Sequence, residues 1–156
     1  MNKQLNVKNL CTGGIIAALY AGLTLLLAPI SYGPVQFRVS EALTLLPILT
    51  PAATPGLVIG CFLANLLGST VEDAVIGTCA TLVAAILTRE TRSSKGIAAF
   101  WPVLSNGLIV GVMLYAMYGG SWLLNIATVA LGEAAVCYAL GIPMVKALEK
   151  YPRLFE

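Results

Sequence analysis

Residues 89–95, RETRSSK, interrupt a chain that is apolar over most of its length, and they contain three of its nine basic residues. Two other short segments, residues 3–8 and 146–153, contain five more. In membrane proteins Lys and Arg accumulate in the short loops on the cytoplasmic side. We therefore expect all three segments to be cytoplasmic, with an even number of membrane spans between each pair.

The composition is that of a polytopic membrane protein. Of 156 residues, 58% are hydrophobic and 10% are charged, whereas a soluble domain is about 25% charged. The chain has no histidine, and its four cysteines have no paired spacing, so neither a metal site nor another cofactor is expected. There is no basic stripe for nucleic acid and no Walker A loop for ATP. We expect a protein that is not an enzyme and does not hydrolyse ATP by itself.

The lengths of the apolar stretches predict six helices. A helix needs roughly 20 residues to cross the hydrocarbon layer of a bilayer. The predicted helices cover about residues 10–30, 40–50, 55–68, 71–88, 97–118 and 121–148. The second and third are short, and short spans survive where neighbouring protein or a polar cavity satisfies their ends. The sequence predicts one all-α, multi-pass membrane domain with both termini cytoplasmic.

This topology brings polar and aromatic residues from several helix ends to the outer side. They are Arg38, Glu41, Asn65, Glu72, Asp73, Tyr115, Trp122 and Asn125. Three carboxylates against one arginine favour a small cationic ligand with a planar, aromatic body.

Several of these residues also have a purely structural explanation. Tyr115 and Trp122 are typical of the aromatic belt at a membrane interface. Asp73 has the spacing of a helix capping box. Arg38 and Glu41, three positions apart, are placed to pair with each other.

Glu133 lies midway along the sixth predicted helix, where an ionisable side chain costs on the order of 3 kcal/mol. Asn106 and Glu133 are equally distant from the Gly119–Gly120 turn, which places them at the same depth on adjacent helices. Asn125 lies two turns from Glu133 on nearly the same face. We interpret Asn106 and Glu133 either as part of a ligand site or as a hydrogen-bonded pair that joins two helices.

The first predicted helix carries small residues at Gly14, Ala17, Ala18 and Ala21. Their four-residue spacing lets another helix approach closely. Contact with a partner subunit and packing inside the bundle explain this pattern equally well. None of the polar residues of the predicted site is assigned to this helix.

Three runs of residues resemble a known family. They are QFRVSEAL at 36–43, PGL at 55–57 with GCFLANL at 60–66, and GT at 77–78 with ATL at 80–82. These runs are similar to the QueT family, the proposed queuosine-precursor transporters, and the similarity extends over roughly residues 10–150.

The resemblance implies a six-helix S component of an energy-coupling factor (ECF) transporter in the bacterial cell membrane. Such a protein binds a deazaguanine precursor, which in one form carries an aminomethyl cation. It also implies a transmembrane coupling subunit and two ATPase subunits as partners, with Ala17 and Ala21 matching the contact for the coupling subunit. The alternative is a self-sufficient secondary transporter or channel for a small cationic or planar solute.

Overall fold

The computed structural model describes residues 7–32 and 36–155, and every regular element within these residues is helical. The α-helices are α1 (Val7–Leu26), α2 (Ala28–Ser31), α3 (Ala53–Gly68), α4 (Val71–Glu90), α5 (Lys95–Tyr118), α6 (Trp122–Val136) and α7 (Ile142–Leu148). The other helices are a 3₁₀ helix at Val39–Ile48, a π-helix at Cys137–Gly141 and a 3₁₀ turn at Pro152–Leu154.

Four helical segments in the described part of the chain are long and apolar enough to span a membrane. They are Val7–Leu26, Val71–Glu90, Lys95–Tyr118 and the run Trp122–Leu148. Val39–Ile48 and Ala53–Gly68 are also apolar but shorter. The predicted all-helical class and the presence of several apolar, membrane-length helices are therefore confirmed.

Two of the predicted helices are not continuous. The first, predicted over 10–30, ends at Leu26 and resumes as α2, which has Pro29 in its first turn. The last, predicted over 121–148, widens into the π-helix just before Pro143. A proline has no N–H for the carbonyl four residues earlier and its ring crowds that carbonyl, and helices adjust to such sites by breaking or by forming a π turn.

The second predicted helix, residues 40–50, has a different geometry from the expected α-helix. Val39–Ile48 is a 3₁₀ helix with Pro47 inside it, and eight of its ten residues are buried. A 3₁₀ helix rises about 2.0 Å per residue, so ten residues cover about 20 Å rather than the roughly 15 Å of an α-helix. We call it the central 3₁₀ helix, because it packs against α1, α3, α4, α5, α6 and α7.

Small residues lie where α1 and α3 approach each other most closely. A Cβ atom on Gly60 would lie 2.8 Å from the carbonyl oxygen of Ala17, and one on Gly56 would lie 2.5 Å from that of Gly13. The backbones of the two helices are therefore in direct contact. Ala17 is buried in this contact, so part of the small-residue pattern of α1 serves internal packing.

The basic segments meet at one end of the helix bundle. Lys8 donates a hydrogen bond from Nζ to the carbonyl oxygen of Arg153, 3.4 Å away. Lys95 forms an ion pair of 2.8 Å with Glu149. These contacts join the predicted cytoplasmic segments, apart from Lys3, which lies outside the described residues. We call this end the basic end.

Candidate functional site

A group of polar side chains is buried inside the bundle. We call it the polar core, and its members are Tyr20, Arg38, Glu41, Asn65, Asp73, Asn106, Glu133 and Cys137. Burying such groups is unfavourable unless they are paired with one another or with a ligand. The polar core is therefore the part of the molecule in which a functional role has to be sought.

Glu133 and Asn106 form the contact predicted from the register of the α5–α6 hairpin. Asn106 donates from Nδ2 to Glu133 Oε1 over 3.0 Å, and both side chains are buried. The other carboxylate oxygen, Oε2, lies 3.8 Å from Cys137 Sγ, which donates to it. Each oxygen of Glu133 therefore has a partner within the protein.

Glu41 is positioned by three different elements. The hydroxyl group of Tyr20 on α1 donates to Glu41 Oε1. The backbone carbonyl oxygen of Glu41 accepts from Thr44 Oγ1 at 2.6 Å, and Cys137 Sγ lies 3.7 Å from the same oxygen. Glu41 is only 1% exposed, yet Oε2 has no hydrogen-bond donor among the described residues.

Arg38 pairs with Asp73 and not with Glu41. Its guanidinium lies 2.9 Å from Asp73 Oδ2 and 5.0 Å from the centre of the Tyr32 ring. The capping interaction predicted for Asp73 also forms, since its backbone N–H donates to Thr70 Oγ1 at 3.2 Å. Thr70 therefore caps α4 by accepting from the Asp73 backbone, and the Asp73 carboxylate holds Arg38.

A cavity of about 460 Å³ opens at the end opposite the basic end. Its lining combines methionines and tyrosines with a few polar groups, which is the usual character of a site for a small organic molecule. The lining residues are Tyr32, Gln36, Ser69, Thr70, Asp73, Met113, Leu114, Met117, Tyr118, Leu124, Asn125 and Thr128. We call it the outer cavity.

The outer cavity and the polar core are adjacent. Asp73 belongs to both, because it lines the cavity and holds Arg38. Asn106 and Glu133 do not line the cavity. The backbone of Gln36 crosses α6 beside Glu133, where a Cβ atom on Gly132 would lie 2.5 Å from the Gln36 carbonyl oxygen. The segment that enters the central 3₁₀ helix therefore lies against α6 next to the buried acid.

The remaining predicted residues lie in different environments. Asn125 lines the outer cavity and donates from Nδ2 to the carbonyl oxygen of Gly119 at 3.2 Å. Asn65 is buried and donates from Nδ2 to the carbonyl oxygen of Asp73 at 3.1 Å. Tyr115, Trp122 and Glu72 are exposed on the outside of the bundle and do not line the cavity.

The first helix, to which no residue of the predicted site was assigned, contributes Tyr20 to the polar core. Tyr20 contacts Glu41, and one turn later Thr24 Oγ1 lies 2.6 Å from Ser40 Oγ. A signal for this was present in the sequence. Ile16, Tyr20 and Thr24 are spaced by four residues, which places them on one face of a helix, and that face is buried.

The electrostatic balance of the polar core favours a ligand that donates hydrogen bonds or carries positive charge. The one arginine is already paired with Asp73. The carboxyl groups of Glu41 and Glu133 are within electrostatic range of each other, and neither has an ion-pair partner among the described residues. Within the described part of the chain, no group of three or more His, Cys, Asp or Glu side chains is arranged to hold a metal ion.

Comparison with known proteins points to one family. A sequence model described as QueT transporter matches residues 10–150. The chain is also similar to the queuosine precursor transporter QueT of Lactococcus lactis subsp. cremoris (strain MG1363), with 40% identity over 83 residues. That match covers 52% of this chain and 49% of the relative, so the chain matches about half the length of the relative. No solved structure matches the chain.

Proposed function

The chain belongs to the QueT transporter family, and on this premise we propose that it is the substrate-binding S component of an ECF-type importer for a queuosine precursor. The proposal rests on one observation above all: two carboxyl groups, Glu41 and Glu133, are buried in the polar core, and this core shares Asp73 with the outer cavity. Ionisable residues inside membrane helices mark substrate or ion sites by default.

The chemistry of the proposed ligand complements this site. A deazaguanine ring is planar and carries adjacent N–H donors, and its aminomethyl form adds a positive charge. Carboxylates are acceptors for both kinds of group. The tyrosines and methionines of the outer cavity, such as Tyr32 and Met113, provide apolar and aromatic surface for the ring. We propose that the ligand enters through the outer cavity and is held by Glu41, Glu133 and Asn106.

We propose a single domain with six membrane spans and both termini in the cytoplasm of a bacterial cell. The four long helical segments supply four spans, and the central 3₁₀ helix and α3 supply the two short ones. The contacts of Lys8 with Arg153 and of Lys95 with Glu149 support a shared cytoplasmic side for the basic segments. The outer cavity then faces the outside of the cell.

Cysteine labelling tests this topology. Ser93→Cys and Ser121→Cys, each in a background without the four native cysteines, place a single exposed thiol at opposite ends of the bundle. In intact cells a membrane-impermeant reagent is expected to label position 121 efficiently and position 93 only after the membrane is opened. Efficient labelling of position 93 in intact cells would contradict the arrangement.

The proposed partners are a transmembrane coupling subunit and two ATPases. The chain has no phosphate-binding loop of its own, so active uptake requires another source of energy. On α1, Gly14 and Ala18 are exposed on the outside of the bundle, whereas Ala17 is buried and Ala21 is half-buried. We therefore propose that the coupling subunit contacts α1 along Gly14 and Ala18, at the face where small side chains permit close approach.

A ligand-induced thermal shift tests the proposed substrate class. The unfolding temperature of the purified chain is measured with each of a panel of purines and deazapurines. A compound that binds only the folded protein raises this temperature. The aminomethyl deazaguanine is expected to give the largest shift, guanine a smaller one and adenine none. An equal response to all compounds, or none to any, would count against the proposal.

A further inference from the structure

Tyr20 has an unusual position for a tyrosine in an apolar helix. It lies in the second half of α1, its side chain is fully buried, and its hydroxyl group donates to a carboxylate on another element. One turn further along α1, Thr24 bonds Ser40. Two side chains of α1 therefore hold the start of the central 3₁₀ helix, and one of them holds Glu41 itself.

The hydrogen bond from Tyr20 leaves the two oxygens of Glu41 in different states. Oε1 accepts from Tyr20, whereas Oε2 is buried without a donor among the described residues. A buried acceptor without a partner is destabilising and calls for an explanation. Both oxygens of Glu133 already have partners, Asn106 and Cys137. Of the two acids, Glu41 is therefore the one with an oxygen that has no partner among the described residues.

The surroundings of Glu41 narrow the kind of ligand group that fits. Arg38 is within electrostatic range but is paired with Asp73. The other nearby groups are the Cys137 thiol and the Glu133 carboxyl. A carboxylate has about four lone-pair positions on its two oxygens, so Oε1 can accept from Tyr20 and a ligand donor at once. A pair of adjacent N–H donors fits such a carboxylate in a bidentate manner.

We infer that Glu41 recognises the edge of the ligand on which a ring N–H and an exocyclic amine lie side by side, and that Tyr20 is the residue that positions Glu41 for this contact. This inference rests on the proposed function and deepens it, since it assigns α1 a role in ligand specificity. Without the Tyr20 hydroxyl group the carboxylate is free to rotate, and the alignment with two parallel donors is lost. Discrimination between ligands then falls, whereas a general loosening of the bundle lowers the affinity for all of them equally.

The experiment compares two ligands that differ in one group. They are the aminomethyl deazaguanine and the same molecule without its exocyclic 2-amino group, and their affinities are measured with the purified full-length chain. The wild type is expected to prefer the first ligand roughly ten- to hundredfold. In Glu41→Gln the preference should fall to within about threefold, because the amide offers only one acceptor. In Tyr20→Phe it should fall several-fold, with little change in affinity for the ligand that lacks the amine.

Tyr138→Phe is the matched control. Tyr138 also uses its hydroxyl group in a hydrogen bond, 2.9 Å to the carbonyl oxygen of Gly96, but its side chain is exposed and its partner lies outside the polar core. Its removal is expected to leave the preference unchanged. Thermal unfolding of each variant shows whether it is folded.

The outcomes separate this inference from the proposed function. If the wild type binds neither compound, the proposed function fails and the inference fails with it. If the wild type discriminates and folded Tyr20→Phe discriminates equally well, the positioning role of Tyr20 is overturned while the proposed function stands. If Tyr20→Phe does not fold, Glu41→Gln decides: a retained preference for the amine overturns the inference, and a lost preference supports it.

Discussion

Glu133→Gln is expected to weaken binding of the aminomethyl deazaguanine roughly ten- to hundredfold, which corresponds to the loss of one charge-assisted contact of about 1.5 to 3 kcal/mol. The substitution removes the charge and keeps the shape of the side chain. The amide oxygen of glutamine still accepts the hydrogen bond that Asn106 donates to Glu133 over 3.0 Å. Stability should therefore be equal to or greater than that of the wild type, because a buried ionisable group is removed.

The matched control is Glu90→Gln, at an exposed carboxylate at the end of α4. It is expected to bind like the wild type. The measurement is isothermal titration with purified protein, together with thermal unfolding of each variant. If folded Glu133→Gln binds with unchanged affinity, Glu133 serves only to join α5 and α6 through Asn106, and the proposed site is misplaced.

Gly14→Leu combined with Ala18→Leu is expected to reduce ATP-dependent uptake at least tenfold, an estimate based on the dependence of close helix contacts on small side chains. Both residues are exposed on the outside of α1, and an added Cβ on Gly14 would meet no atom within 4 Å. The fold and the ligand affinity should therefore be retained. Uptake into proteoliposomes that contain the coupling subunit and the ATPases measures the effect.

Ala116→Leu combined with Ala127→Leu is the control for added bulk on the outside of the bundle, since both alanines are exposed on the α5–α6 hairpin. This variant should support normal uptake. Ala17→Leu makes a second comparison, because Ala17 is buried against Gly60. Ala17→Leu is expected to lower the free energy of unfolding by about 1 to 3 kcal/mol, because the larger side chain overpacks the contact. Normal uptake by the Gly14 and Ala18 double variant would place the coupling contact elsewhere.

The features that could be predicted from the sequence follow from rules that act along the chain. The positions of Lys and Arg predicted that the three basic segments lie on the same side of the membrane. In the structure these segments are in contact, for example through the ion pair of Lys95 with Glu149. The Gly119–Gly120 turn predicted the depth of Asn106 relative to Glu133, because two regular helices that leave a tight turn keep their register. Both inferences needed only lengths, composition and periodicity.

The features that could not be predicted depend on contacts between distant segments. Arg38 had a neighbouring acid in Glu41, yet it pairs with Asp73, which only the packing of α4 beside the central 3₁₀ helix brings within reach. The small residues of α1 did not indicate which of its faces is buried. Small residues occur all around that helix, and Ala17 and Ala18 differ by only about 100° of rotation.

The same limit applies to the central 3₁₀ helix. Most of its residues are apolar and eight of ten are buried, so hydrophobic periodicity does not distinguish an α-helix from a 3₁₀ helix. The choice follows from enclosure by the surrounding helices, with Pro47 near its end and Thr44 bonding back to the carbonyl oxygen of Glu41. The position of the Glu41 carboxylate, and with it the link to Tyr20, depends on this geometry.

The most direct test is to compare binding and uptake of the aminomethyl deazaguanine by the same purified protein. The chain alone should bind the ligand but give no uptake into proteoliposomes, with or without an ion gradient. With the coupling subunit, the two ATPases and ATP, uptake should appear, and it should stop when ATP is replaced by a non-hydrolysable analogue. Uptake by the chain alone, driven by an ion gradient, would contradict the importer subunit and identify a secondary transporter.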